Sequence, residues 1–313
     1  MVKKTKRKKR STKKSVNKKF VINARETEKL APEIKEEVEK LLFGPRSLHQ
    51  KRERLEYDSF HDLEFQRLAI SDQLKKCLFD KCLKKFVIDN WVKCVPYQYS
   101  NMPLSSRGSV NSIGGRFNIG NDVSETNVTA FNALYIAEDE TTAYLEKFGI
   151  ENKENLEQAL NACFQKKENF STVHVSGVLH NVLDIDGKDT LKPFVDQIGK
   201  INHSHHVQSR LKQEEIPYKT LKDVKSLKVL LKDPMWRYKV QLYDLPSGSQ
   251  IFAQIAYRAG VEAILYTSVK DGKRCVAIFP KNLSDSSKIE LSGSFPDTVV
   301  TTVLTSENYE DTL

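Results

Sequence analysis

Nothing in this 313-residue chain approaches the roughly 20 consecutive apolar residues that cross a bilayer. Its longest apolar runs, such as Ala263 to Tyr266 and Cys275 to Phe279, are short, so no transmembrane segment is expected. No secretory leader is expected either, because the basic start leads into more charge rather than into an apolar stretch. The protein is therefore expected to be cytoplasmic, acting where it is made. Cysteine is sparse: Cys77, Cys82, Cys94, Cys163 and Cys275 are odd in number and scattered, which fits free thiols in a reducing compartment and no zinc knuckle. No Gly-x-Gly-x-x-Gly follows a strand and no phosphate loop ends in Gly-Lys-Ser/Thr, which disfavours the usual dinucleotide and triphosphate folds. Histidine clusters once, at His203, His205 and His206. Without a Cys or a second His pair at ligand spacing, this cluster reads as a solvated loop, and no metal is expected.

What is present is the composition of a globular protein. The chain is 39% hydrophobic and 29% charged, with 13 Gly and 10 Pro, which excludes a collagen-like or wholly disordered chain. Its net charge of +9 is unevenly spread. Met1 to Phe20 hold eleven basic residues and no acid, so removing them leaves the other 293 residues at −2. A block of like charge without apolar periodicity cannot offset its ordering entropy, and residues 1–20 are read as a disordered basic arm. Nucleic acid, an anionic membrane surface and an acidic partner all suit such an arm, as do a nuclear address and a plain solubilising tail.

Residues 21–90 read as a helical module. Leu30, Ile34, Val38, Leu41 and Leu42 recur at three- and four-residue steps, Phe43-Gly44-Pro45 stops the run, and Leu63, Leu68, Leu74, Leu78, Phe79, Leu83 and Phe86 resume it. After Trp91 the texture changes. Strands are predicted at Ala133 to Ala137, Thr172 to Val175, Val182 to Ile185, Ala263 to Val269, Arg274 to Phe279 and Thr298 to Leu304. Helices are predicted at Glu140 to Phe148, Lys153 to Gln165, His206 to Glu214 and Ser249 to Ala259. The mixture lacks regular βαβ alternation, which points to an α+β domain over 91–313.

Two stretches carry chemical potential. Pro103 to Gly108 is followed by Gly114-Gly115-Arg116-Phe117-Asn118, where glycines permit close backbone approach and an Arg offers a planar fork for phosphate oxygens. Ala133 to Ala137 is a short apolar strand, Asp139 can cap the next helix, and that helix carries Glu146. Far downstream, Ala259 to Val269 gives a helix end, a turn and a buried strand leading to Ser268.

In this order the residues resemble the RES family, NAD-degrading domains known mostly as toxins of bacterial toxin–antitoxin pairs. The likeness spans roughly Trp91 to Leu283, about three fifths of the chain. Its blocks are Trp91-Val92-Lys93 with Pro103-Leu104-Ser105; Gly114 to Asn118; Leu134-Tyr135 with Thr142 to Glu146; Val173 to Asp186; and Trp236 with Ser249-Gln250 and Ile264 to Val269. The resemblance implies an ADP-ribosyltransferase-like split β-sheet core with flanking helices, with NAD+ bound as substrate in a cleft between two small sheets. The catalytic set it implies is Arg116, Tyr135, Glu146 and Ser268. The family's first Arg falls on Lys93, which keeps the charge but not the bidentate geometry, so Arg107 is a second candidate there.

These residue types suit cleavage of the nicotinamide–ribose bond. Positive charge builds on the ribose in an oxocarbenium-like transition state, which a carboxylate at Glu146 would favour. Arg116, with Lys93 or Arg107, would neutralise the diphosphate, Tyr135 would stack on nicotinamide, and Ser268 would hydrogen-bond its amide or the ribose. The acceptor is water or inorganic phosphate. The alternatives are ADP-ribosyl transfer to a protein, or a degenerate module that binds a partner through the basic arm. By family analogy a toxin of this kind would be neutralised by an antitoxin protein.

Overall fold

The computed structural model describes residues 46–123, 128–150, 170–216 and 221–313. The basic arm, residues 21–45 of the expected helical module and the expected helix at Lys153 to Gln165 lie outside these residues. The chain forms two units, Met1–Glu53 and Arg54–Leu313, and the second carries every strand of the described residues.

Helix α1 (Arg46–Ala69) begins directly after Pro45, and its residues from Arg54 onward belong to the second unit. It is followed by α2 (Ser71–Phe79), whose Leu74 and Leu78 are fully buried. The helical reading fails at its end. Phe86 to Asn90 are not helical but open strand β1 (Phe86–Pro96), where Phe86 and Ile88 are buried and Val87 is exposed. Phe86 satisfies a three-residue step from Leu83 as well as a two-residue step to Ile88, and pairing with a distant strand decides between them.

A short hairpin, β2 (Gly114–Gly115) and β3 (Asn118–Ile119), precedes β4 (Leu134–Ala137) and helix α3 (Glu140–Phe148). Asp139 caps α3 by accepting from the Thr142 amide, and Gly149 ends it in the left-handed conformation at φ 65°, as these residue types favour. Then come β5 (Phe170–Leu179), β6 (Val182–Asp184), α4 (Lys192–Ile198), α5 (His205–Gln213), α6 (Val224–Leu231), α7 (Trp236–Tyr243) and α8 (Gly248–Arg258). Strands β7 (Ala263–Thr267), β8 (Arg274–Ile278), β9 (Lys288–Ser292) and β10 (Val303–Leu304) complete the unit. Of the predicted Thr298 to Leu304 strand, only the last two residues pair.

The fold is α+β. Eight strands lie in the order β10-β9-β5-β1-β4-β8-β7-β6, antiparallel throughout except for the β6–β7 pair. The two four-stranded halves meet between β1 and β4 at a single registered pair, Val92 with Ala137. The sheet is therefore split at its middle while its hydrogen-bonded strand order stays continuous.

Both faces are covered. Ile264, Tyr266, Cys275 and Ala277 pack into a core shared with α2, α4, α6 and α8. The alternate residues Ala263, Leu265, Val276 and Ile278 pack on the other face with Ile88, Trp91, Val175 and Leu291. Burial on both faces is why β7 and β8 read as unbroken apolar runs. Removing Leu265 down to its Cβ would cost about 2–5 kcal/mol.

The histidine cluster divides: His205 and His206 are exposed in the first turn of α5, and only His203 departs from the expected solvated loop. His203 is buried, with its Nδ1 3.1 Å from the Asp62 carboxylate and its Nε2 3.1 Å from the Ser59 hydroxyl. It pins α1 to the start of α5, where Arg210 also pairs with Asp58. Sequence spacing alone does not reveal a partner 141 residues away.

Candidate active site

Where the sheet splits, a cleft of about 440 Å³ opens, within the range of small-molecule sites. It is walled by β1 on one side and β4 on the other, with the 105–111 loop, the β2–β3 hairpin and the start of α7 around its rim. Arg116, Tyr135, Glu146 and Lys93 all line it. Ser268 and Arg107 do not.

Glu146 faces the cleft from the second turn of α3, half-buried. Its Oε1 accepts a hydrogen bond from the Ser268 Oγ at 2.6 Å. Ser268, buried just after β7, also accepts from the Lys270 amide at 3.1 Å. Ser268 thus stands behind the acid and fixes its rotamer. This connection across 122 residues is the geometric centre of the site.

Arg116 sits in the turn of the β2–β3 hairpin. Its Nη1 donates to the carbonyls of Leu231, at 3.2 Å, and Asp233, at 2.8 Å, at the C-terminus of α6, where a cation suits the helix dipole. The guanidinium also lies 5.9 Å from the Trp236 ring centroid. The fork is anchored by one nitrogen, and its Nε and Nη2 donors remain for an anionic ligand.

The hairpin itself is built to fine tolerance. Buried Gln250 donates from Nε2 toward the carbonyls of Ile113, Gly115 and Asn118 at 2.8–3.1 Å, and its Oε1 accepts from the amide of Ser247, the residue that caps α8. Asn118, also buried, donates to the Ser109 and Phe131 carbonyls and accepts from the Gly115 amide and the Tyr135 hydroxyl. The Tyr135 hydroxyl in turn accepts from the Phe117 amide at 3.0 Å. Tyr135 therefore spends its hydroxyl on holding the hairpin, and burial pushes its ionisation well above the ordinary phenol range against the opposing pull of the Phe117 amide and Arg116. The glycines serve the hairpin as well. A Cβ on Gly115 would meet the Tyr135 hydroxyl at 2.5 Å, and Gly114 has φ +83°. Close approach here is to the protein's own atoms.

Lys93 is half-buried in β1, and its Nζ donates to the carbonyls of Pro103 at 2.5 Å and Ser105 at 2.9 Å. Burial, and then the charge of Lys147, bring its pKa down from the usual lysine range to about 7. Arg107 points away from the cleft, its Nε donating to the Leu313 carbonyl.

Three residues acquire a role only in three dimensions. Arg237 and Lys147 line the cleft, adding positive charge that no motif signalled. Asp186 ties the site together from behind. It accepts from the Thr267 amide at 2.8 Å and from the Lys232 ammonium at 2.9 and 3.1 Å. Thr267 precedes the serine that holds Glu146, and Lys232 lies between the two carbonyls that hold Arg116. Burial opposes ionisation of Asp186, but the bonds from Lys232 and Thr267 outweigh it and keep its carboxyl below the ordinary range.

An acid and an anchored arginine thus share a split-sheet cleft whose lining comes from all but one of the blocks noted in the sequence. The RES-domain family model matches residues 92–297. The chain belongs to the RES-domain family. RES-domain toxins are NAD-degrading enzymes, and the match covers the cleft from β1 through β9. A search of curated proteins returns no match. Among solved structures, the crystal structure of the M. tuberculosis MbcT–MbcA toxin–antitoxin complex aligns at 12% identity and a TM-score of 0.42, over 76% of this chain and 96% of that one. No helix among the described residues of this RES protein is long and apolar enough to cross a membrane.

Proposed function

We propose that this RES protein consumes NAD+ by breaking the bond between nicotinamide and ribose, passing the ADP-ribosyl group to water or inorganic phosphate. The observation that carries the reading is Glu146, oriented by Ser268 at 2.6 Å in the cleft that Arg116 also lines. As the C1′–N bond breaks, its electron pair leaves with nicotinamide and positive charge spreads over the ribose C1′ and ring oxygen. A carboxylate held beside that ring favours this charge more in the transition state than in the ground state, which is what raises kcat. Arg116, through its remaining donors, and Arg237 and Lys147 would hold the diphosphate. The Tyr135 ring, immobilised through its hydroxyl, offers a flat wall for nicotinamide. Attack on C1′ by water, with loss of its proton to solvent, gives ADP-ribose. Attack by phosphate gives ADP-ribose 1″-phosphate.

Chromatography of NAD+ after incubation with the purified protein, with and without phosphate, tests the proposal. Free nicotinamide with either product supports it. Label from NAD+ fixed on protein would replace it with ADP-ribosyl transfer, and unchanged NAD+ would leave a binding module. Family membership further supports action as a toxin restrained by an antitoxin. Induction of the wild-type chain should then deplete cellular NAD+ and arrest growth, and Glu146→Gln should do neither.

A further inference from the structure

The family match ends at residue 297, yet the chain beyond it returns to the loop that borders the cleft. The Val300 amide donates to the Asn101 carbonyl at 2.8 Å. Thr312 is fully buried, and its hydroxyl donates to the Tyr309 carbonyl at 2.7 Å, closing a tight turn. Its carbonyl accepts two bonds from the cleft's rim, from the Ser105 Oγ at 2.8 Å and the Ser106 amide at 3.0 Å. Beside it the Leu313 carbonyl accepts from Arg107. Ser105 and Ser106 line the cleft, and from the other side the Lys93 ammonium holds the Pro103 and Ser105 carbonyls. The rim is therefore clamped between a strand of the family core and a segment outside it. Beyond the clamp the rim continues into Ser109, whose carbonyl and hydroxyl are bonded to Asn118 and the Ala133 amide. Displacement of Ser105 would thus be felt at the hairpin that carries Arg116.

We propose that residues 300–313 are a positioning element of the dinucleotide site, bracing the 101–107 rim through the Thr312 carbonyl so that the rim is set for binding before NAD+ arrives. The inference rests on the NAD-cleaving reading. The element touches no reacting atom, so it governs KM. Because the Thr312 contacts join backbone to the rim, a one-residue signature does not mark them.

The test removes residues 309–313 from the full chain and measures nicotinamide release against NAD+ concentration. Loss of two rim hydrogen bonds should raise KM roughly tenfold, with kcat within about a factor of two, the pattern of lost preorganisation. Hydrogen exchange at the Ser106 amide should quicken in parallel. Ser105→Ala in the full chain should raise KM and Ser105→Thr should largely restore it. In the truncated chain Ser105→Ala should add much less, because the Thr312 carbonyl is already gone and only the Arg107 amide, 3.2 Å from the Ser105 Oγ, remains as its partner. An unchanged KM after truncation overturns the proposal, as does a Ser105→Ala effect of equal size in both backgrounds. Should the truncated chain fail to fold, the Ser105→Ala and Ser105→Thr pair in the full chain decides. Failure of the intact protein to cleave NAD+ would instead remove the underlying activity.

Discussion

Ser268→Ala is the sharpest probe of the site, because it leaves Glu146 in place and removes only what orients it. The lost bond is short, from hydroxyl to carboxylate, and hydrogen bonds to charged groups contribute about 1.5–3 kcal/mol. If most of that contribution serves to hold the carboxylate at the ribose, kcat should fall roughly ten- to a hundred-fold. KM for NAD+ should change little, since Ser268 lies outside the cleft lining. Stability should drop by about 1 kcal/mol, because the Lys270 amide also loses its acceptor. Nicotinamide release at saturating NAD+, paired with a thermal melt, gives both quantities. Ser268→Thr, which keeps the hydroxyl, should recover part of the rate. A Ser268→Ala variant with wild-type kcat would refute orientation of the acid as the serine's role. A rise in KM at constant kcat would mean that the serine contacts the substrate directly.

Glu146→Ala should eliminate nicotinamide release while leaving circular dichroism nearly unchanged and lowering stability by about 1–3 kcal/mol through the stranded Ser268 hydroxyl, and retained turnover would remove Glu146 from catalysis. Gly115→Ala should destabilise by about 1–3 kcal/mol and impair activity by forcing Tyr135 and Asn118 apart, and a melt indistinguishable from wild type would show that the hairpin yields. Lys93, with its pKa near 7 instead of its ordinary value, makes two pH predictions. Between about pH 7 and 10.5 the unfolded chain holds a proton at this position that the folded chain has released, so this group's destabilising influence is full below 7 and fades as pH rises. Denaturant melts of wild type and Lys93→Met at about pH 6 and 9 should reveal that slope only in the former. If Lys93 also serves the diphosphate, KM should rise from about pH 6 to 8 as its charge is lost, about tenfold for each unit by which NAD+ binding raises its pKa. Asp186→Asn should lower kcat and raise KM together, since it loosens the anchors of both Glu146 and Arg116, and steady-state kinetics with either parameter unmoved would contradict that coupling.

Local signals in the chain determined a good deal. The capped helix from Glu140 to Phe148 was legible from Asp139, because a cap satisfies backbone groups within a few residues. The double-faced strands at Ala263 and Arg274 were legible because central strands need apolar residues on both faces. Glu146, Arg116, Tyr135 and Lys93 were marked by ordered blocks, and the cleft gathers them. Tertiary structure alone decided how each is used. That Ser268 stands behind the acid, that Tyr135 gives its hydroxyl to the hairpin and that Lys93 holds two carbonyls depend on contacts between residues far apart in the chain. Phe86 became strand rather than helix for the same reason, through pairing with Leu179. Asp186 ended a noted block without a role, and Arg237 and the Thr312 brace had no local signature, because an ion pair, a cleft wall and a backbone carbonyl acquire their partners only once the sheet has formed.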